Sequence, residues 1–278
     1  MRIFDTHAHY SDEKYDEDRL QLFEKMYVDG VDKVTLIGAS KIESEKEKNL
    51  AIKYNAIQKV PRFYYTVGDH PDEIIKASPE SSEGLSYLDE LRKLTQTDGK
   101  TSTLAIGEIG LDYHGGFKTD WDYKNQKEWF IAEIELARSL NLPIVVHSRD
   151  ACKDTLDIIK EHAKDLRGII HCFSYEKEIA KEYIKLGYYI GIGGTVTFKN
   201  ARKTKEVIEA IDLASIVTET DSPWLAPTPH RGERNDSSYI KYVIEEIAKL
   251  KNTELEKTAE ILYDNALEVY NLKGNEKG

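Results

Sequence analysis

The chain has 278 residues, of which 40% are hydrophobic and 32% charged, with 39 basic residues against 50 acidic ones and a formal net charge of −11. That is the size and make-up of one large globular domain, here taken as 1–278, and the charge argues against a protein that grips long duplex nucleic acid along a broad basic surface, since each neutralised phosphate needs a nearby cation. Cys152 and Cys172 lack C-x-x-C spacing, which excludes a disulfide framework and a cysteine zinc site.

The opening Met1-Arg2-Ile3-Phe4-Asp5 runs straight into a strand-like stretch, 2–6. No secretory leader is therefore expected and, with no apolar run of membrane-spanning length, the chain is expected in the cytoplasm. His7 and His9 follow. On a strand, residues two apart share a face, so both imidazoles can reach one ion. Asp5, two before His7, is expected to orient a ligand histidine through its second nitrogen. Strands are predicted at 31–38 and 63–68, the latter leading to His70, which is either a substrate contact or a structural residue. Within 77–102, EGLSYLDELRKL reads as a helix between long connections, and the next strand, 103–108, ends at Glu108.

Helical periodicity is plain from Trp121 to Asn141, with Trp121 and Trp129 read as its core aromatics. The strand at 143–147 ends at His147. Arg149, two residues on, can fork onto a phosphate or neutralise Glu219. The strand at 168–172 carries His171, and alternation turns Cys172 away from it, so Cys172 is read as an inert thiol. The strand at 187–192 runs into GIGG (191–194), whose glycines relieve crowding against a neighbouring backbone. The last strand, 215–220, carries Glu219, a deep carboxylate that needs a partner such as Arg149 or a ligand imidazole, and leads to Asp221. Trp224 lies just beyond, at the mouth, where a base can stack. His114 and His230 read as exposed loop residues, His162 as a helix residue without a metal role, and 271–278 as a frayed tail.

Eight strand-then-helix units imply an α/β fold, the (β/α)₈ TIM barrel, with its active site at the carboxyl ends of the strands. His7, His9, Glu108, His147, His171 and Asp221 fall at those ends on strands one, four, five, six and eight. Imidazole and carboxylate donors suit Zn, Mg, Mn or Fe. Arg149, Lys199, Arg231 and Arg234 fall in loops on the same face and offer local positive charge.

Eight blocks carry a resemblance: FDTHAHY (4–10), VGDHPDE (67–73), IGEIGLDYH (106–114), PIVVHSRDA (143–151), IIHCFS (169–174), GIGGTVTFKN (191–200), ETDSPWLAP (219–227) and HRGERN (230–235). In this order they resemble the TatD family of metal-dependent hydrolases, within the amidohydrolase-like barrels. One departure is visible at His70-Pro71-Asp72, where many relatives read G-x-H-P-H and this chain offers an acid. The resemblance implies two divalent metal ions, one held by His7, His9, Glu108 and Asp221 and the other by His147, His171 and the shared Glu108. Donor counting agrees, because a catalytic zinc keeps about three protein ligands and an open position.

The implied activity is a deoxyribonuclease that hydrolyses DNA phosphodiesters exonucleolytically. Asp221 would be ligand and general base, Glu108 the bridge, and His70, Arg149 and Trp224 the substrate contacts. Single-stranded or frayed DNA ends suit the acidic chain, and neither a membrane nor an obligate protein partner is expected. The alternatives are a hydrolase of another ester or amide, such as aminoacyl-tRNA, and a non-catalytic metal-stabilised binding protein.

Overall fold

The structure is a computed structural model that describes residues 1–96, 102–115 and 119–273. Its frame is one eight-stranded parallel sheet in sequential order: β1 (Ile3–Ala8), β2 (Val31–Leu36), β3 (Arg62–Val67), β4 (Thr103–Asp112), β5 (Ile144–Arg149), β6 (Gly168–Ile170), β7 (Tyr188–Ile192) and β8 (Ile216–Thr218). Helices α1 (Arg19–Val28), α2 (Lys41–Tyr54), α3 (Ser82–Leu94), α4 (Asp120–Leu140), α5 (Cys152–His162), α6 (Lys177–Lys185), α7 (Arg202–Ala210) and α8 (Ile240–Lys251) follow successive strands, and α9 (Leu255–Val269) is added after α8. This is the expected (β/α)₈ barrel.

The sheet curls until β1 meets the segment after β8. Ala8 bridges Ser222 in parallel, the His9 N–H donates to Ser222 O at 2.8 Å, and the Asp221 N–H donates to His7 O at 2.9 Å. Asp5 fastens the same seam. Its buried carboxylate accepts from the backbone N–H groups of His7 and Thr220, both at 3.1 Å, and from the hydroxyls of Thr220 and Ser237, both at 2.6 Å. The expectation that Asp5 orients a ligand imidazole is therefore corrected, because its lone pairs are spent on backbone and hydroxyl donors, and His7 Nδ1 is buried with no hydrogen-bond partner.

Seven of the eight strands differ in length from their sequence reading, β3 being the exception. β4 runs on to Asp112, so Glu108 lies in mid-strand, whereas β6 and β8 stop early and leave His171 one residue and Asp221 three residues beyond them. The β4–β5 register shifts between Ile106 and Ile109, and such an irregularity re-aims a side chain without ending the strand. Deep in the fold Phe4, Ala105, Val145, Ile169 and Val217 pack with Tyr263, Ala266 and Tyr270 of the α9 region. By strand alternation His147, His171 and Glu219 share the face of Val145, Ile169 and Val217, so one line of side chains leads from core to mouth. Residues 97–101 of the expected long connection and 274–278 of the expected frayed tail lie outside the described residues.

Helix α4 shows how local sequence sets an element. Thr119 and Asp122 form a capping box, Asn141 ends the helix in the left-handed conformation at φ 55°, and Trp129, Phe130, Ile134 and Ala137 form the buried face. Trp129 is fully buried and donates from Nε1 to Ala77 O at 2.9 Å. Trp121 is 47% exposed, which corrects its assignment to the core: eight residues before Trp129, it lies roughly 80° round the helix from that buried line. Trp129→Ala is expected to destabilise the fold by about 3–5 kcal/mol and Trp121→Ala by about 0.5 kcal/mol or less. Urea unfolding distinguishes the two, and equal losses would contradict the burial assignment.

Candidate metal centre

All six side chains singled out as metal donors meet at the mouth, and Glu108 is at their centre. Its Oε1 lies 2.7 Å from His147 Nδ1 and 2.9 Å from His171 Nε2, while Oε2 lies 3.3 Å from His7 Nε2. His7 Nε2 is in turn 3.2 Å from His9 Nε2, and Asp221 Oδ1 is 3.7 Å from the first and 3.6 Å from the second. The His7 and His171 rings stack with centroids 3.9 Å apart. Parallel strands arriving side by side account for this convergence of residues far apart in sequence.

The donor spacing fits a divalent ion. Donors about 2.1 Å from an ion at tetrahedral angles lie roughly 3.4 Å apart, and the 3.2, 3.3, 3.6 and 3.7 Å separations around His7, His9, Glu108 and Asp221 bracket that value. Two sets, His7 with Glu108 and His171, and His7 with His9 and Asp221, each keep their ligand atoms within 4.8 Å of one another. A third set of the same tightness joins His70, Asp112 and His147. Asp112 Oδ2 lies 3.1 Å from His147 Nε2, so this carboxylate fixes the ring that points its other nitrogen at Glu108, as outer partners of ligand histidines do. Sequence reasoning missed Asp112. It is four residues after Glu108 and hence on the same strand face, but ending the strand at 108 hid the relation.

The electrostatics follow from charges held out of water. Burial opposes charge on Glu108, yet His171, His7 and His147 hold its carboxyl well below the usual range. Burial likewise opposes charge on His171, and Glu108 with Glu219 outweighs it, lifting the imidazole well above its ordinary value. His9, also penalised by burial, is raised to about 8 by Asp221 and Glu108. His7 moves the other way, pushed down by burial and by His171. The cluster thus holds protons on some of the nitrogens that an ion would take.

Around the donors is a cavity of about 460 Å³ whose lining includes His70, Arg149 and Trp224. The His70 ring stands edge-on to His147 at 4.3 Å, and burial pushes its pKa down to about 4, which leaves it neutral at physiological pH. Trp224 is 46% exposed and meets His9 edge-on at 5.4 Å. Arg149 is exposed and in no ion pair among the described residues. It does not neutralise Glu219, whose Oε1 accepts from the Cys172 N–H at 2.5 Å and faces His171 Nδ1 at 3.7 Å; of the two partners expected for Glu219, the ligand imidazole is the one present.

The other three loop cations do not line this cavity. Arg234 is forked onto Asp18 at 2.8 and 2.6 Å, and Arg231 stacks on Phe198 at 4.4 Å. His230 is not a free loop residue either: its ring stacks on Tyr239 at 4.1 Å. The crowding assigned to the glycines is present, since a Cβ on Gly191 would come within 2.5 Å of Glu219 Oε2 and 3.0 Å of His171 Cα. Cys172 is a free thiol that burial pushes up to about 12, in keeping with an inert role.

Comparison with known proteins agrees with this architecture. The family model for TatD related DNase matches residues 4–271. An uncharacterized metal-dependent hydrolase of Bacillus subtilis strain 168, YabD, is 38% identical over 274 residues, covering 97% of this chain and 99% of the relative. Among solved structures, YjjV, a TatD homolog from Escherichia coli K12, superposes with a TM-score of 0.83 at 26% identity, covering 97% of this chain and 98% of that one. A TatD family hydrolase from Entamoeba histolytica shares the fold, with a TM-score of 0.84 at 20% identity and coverage of 98% and 99%. With its six convergent donors and a family match along nearly its whole length, the chain belongs to the TatD-related DNase family of metal-dependent hydrolases.

Proposed function

We propose that the protein is a two-metal phosphodiesterase acting on accessible ends of DNA, with His7, His9, Glu108 and Asp221 holding one ion and Glu108, His147 and His171 the other. The observation that carries this reading is the division of one carboxylate, with Glu108 Oε1 turned to His147 and His171 and Oε2 to His7. A bound divalent pair supplies Lewis-acid polarisation of a phosphoryl oxygen and a lowered pKa for water.

The protein's own groups do the rest. Asp221 lines the cavity and accepts the proton of the attacking water as that oxygen bonds to phosphorus. The phosphorus–oxygen bond to the departing group breaks, and the departing oxygen takes up a proton, leaving a phosphomonoester and a hydroxyl. Arg149 offers a planar donor pair to the phosphoryl oxygens, Trp224 a face for the terminal base, and neutral His70 a hydrogen bond to the substrate. Asp112 keeps His147 turned toward Glu108.

Elemental analysis of metal-loaded protein is expected to approach two equivalents per chain, and chelation to abolish hydrolysis. Saturation and full activity at one equivalent would remove the bridging role of Glu108. Because His171 and His9 hold protons above the ordinary imidazole value, metal uptake at neutral pH should release protons, and apparent affinity should fall as pH falls. Calorimetry in buffers of different ionisation enthalpy measures this, and binding enthalpies independent of buffer would count against it.

Glu108→Ala is expected to unseat both ions, whereas Asp221→Asn, which keeps an oxygen donor but cannot take a proton, should lower kcat by about 10²–10⁴-fold with a much smaller loss of metal. Near wild-type kcat in metal-saturated Asp221→Asn would exclude it as the base. On a labelled panel, single-stranded or overhanging DNA should be cleaved faster than blunt duplex. Intact DNA ends together with release of amino acid from aminoacyl-tRNA would replace the nuclease reading with that of a different ester hydrolase.

A further inference from the structure

The cavity that holds the metal donors is also lined by acids that the donor set does not use. Asp12 comes from the segment after β1, Glu43 from the first turn of α2 and Glu73 from the segment after β3, whereas Arg149 is the one lysine or arginine that lines it among the described residues. Asp12 is committed locally, its Oδ1 accepting from the Lys14 N–H at 2.8 Å. Glu43 and Glu73 are not. Neither is in an ion pair among the described residues. Glu43 stands three residues after the cap Ser40, where a glutamate ordinarily reaches back to the cap N–H; Ser40 Oγ accepts from the Glu43 N–H at 3.2 Å, but the reciprocal bond is not made. The Glu43 carboxylate is left to the cavity.

Such a rim treats phosphates unequally. A phosphoryl group at the donors would have Arg149 beside it and, with two divalent ions bound, a positive charge that outweighs Glu108 and Asp221. A second phosphate carried into the same cavity shares it with the Glu43 and Glu73 carboxylates, and like charges brought together across a contact are costly and suppress a partner. The rim lines the same cavity as the donors, and at ordinary ionic strength the screening length is about 8–10 Å, so water and salt remove only part of the repulsion.

We propose that Glu43 and Glu73 form an electrostatic fence that restricts the site to a lone phosphoryl group, the terminal ester of a chain or a small diester, and penalises substrates that run phosphates past the mouth. This rests on the phosphodiester reading above and gives it a structural origin for end selectivity: the acidic rim sets which linkage enters, and the metal donors set what is done to it.

The test uses the full-length, metal-loaded protein and two probes, bis(4-nitrophenyl) phosphate, which carries a single phosphate, and a short single-stranded oligodeoxynucleotide. The quantity read is the ratio of kcat/KM on the oligonucleotide to kcat/KM on the small diester, for the wild type, Glu43→Gln, Glu73→Gln and the double variant. The double variant should raise this ratio by about tenfold or more, with each single variant between. Added salt should narrow the gap by screening the wild-type fence. Glu43→Lys provides a second variant that should raise the ratio further. A ratio within ~2-fold of wild type in folded variants, or a gap indifferent to salt, overturns the fence while the phosphodiester reading stands. Failure of the metal-loaded wild type to hydrolyse either probe overturns that reading, and the fence with it.

Discussion

A carboxylate buried in the middle of a strand is the constraint around which this structure is arranged. Glu108 is 3% exposed, and an unpaired charge at that depth would be strongly destabilising. Imidazoles from β1, β5 and the end of β6 compensate it, and two of the three face a further carboxylate: His147 meets Asp112 at 3.1 Å and His171 lies 3.7 Å from Glu219, whereas His7 Nδ1 has no partner. The arrangement is a layered one, in which negative and histidine-bearing shells alternate outward from Glu108. Such a shell structure exploits the barrel directly, because only a closed parallel sheet brings side chains from so many strands to one point.

The candidate donors were legible in the sequence because they obey two simple geometric rules, alternation along a strand and placement toward the carboxyl side of the barrel strands. His7 and His9 needed only the first. What was not legible involved residues whose role depends on their neighbours across the sheet. Asp112 was hidden because β4 continues past its irregularity near Glu108, and strand length is set by pairing with β5, which no local pattern in β4 encodes. Asp5 has the spacing of a residue that orients a histidine, but the seam with Thr220 and Ser237 claims its oxygens, residues more than two hundred positions away. Arg149 and Glu219 have complementary charge and a shared barrel face, yet a backbone N–H at Cys172 reaches Glu219 first.

Charge is a second theme that composition shows only coarsely. A net −11 says that the molecule is acidic, not where the acid lies. Buried acids are partnered by hydroxyls, backbone donors and imidazoles, some surface acids are tied to lysines and arginines, and Arg234, an apparent mouth cation in the sequence, is spent on Asp18. The mouth is therefore less positive than a count of nearby basic residues suggests, with Arg149 on the cavity wall and Lys14 over the Trp224 ring at 5.3 Å as cations near it.

The seam between β1 and the segment after β8 also fixes when the site comes into being. His7 and His9 lie on one side of it and Asp221 on the other, joined by hydrogen bonds that span more than two hundred residues of chain. On a ribosome, the first two donors emerge almost at once, but the third appears only after all eight strands have been made. Contacts of such separation are closed late because the loop entropy must be overcome before they are rewarded. The donor set that includes Asp221 cannot be complete before the eighth strand has been synthesised and docked, so a site built on these residues would be finished as a closing event of barrel assembly, and the nascent chain carries His7 and His9 through synthesis without the carboxylate that joins them.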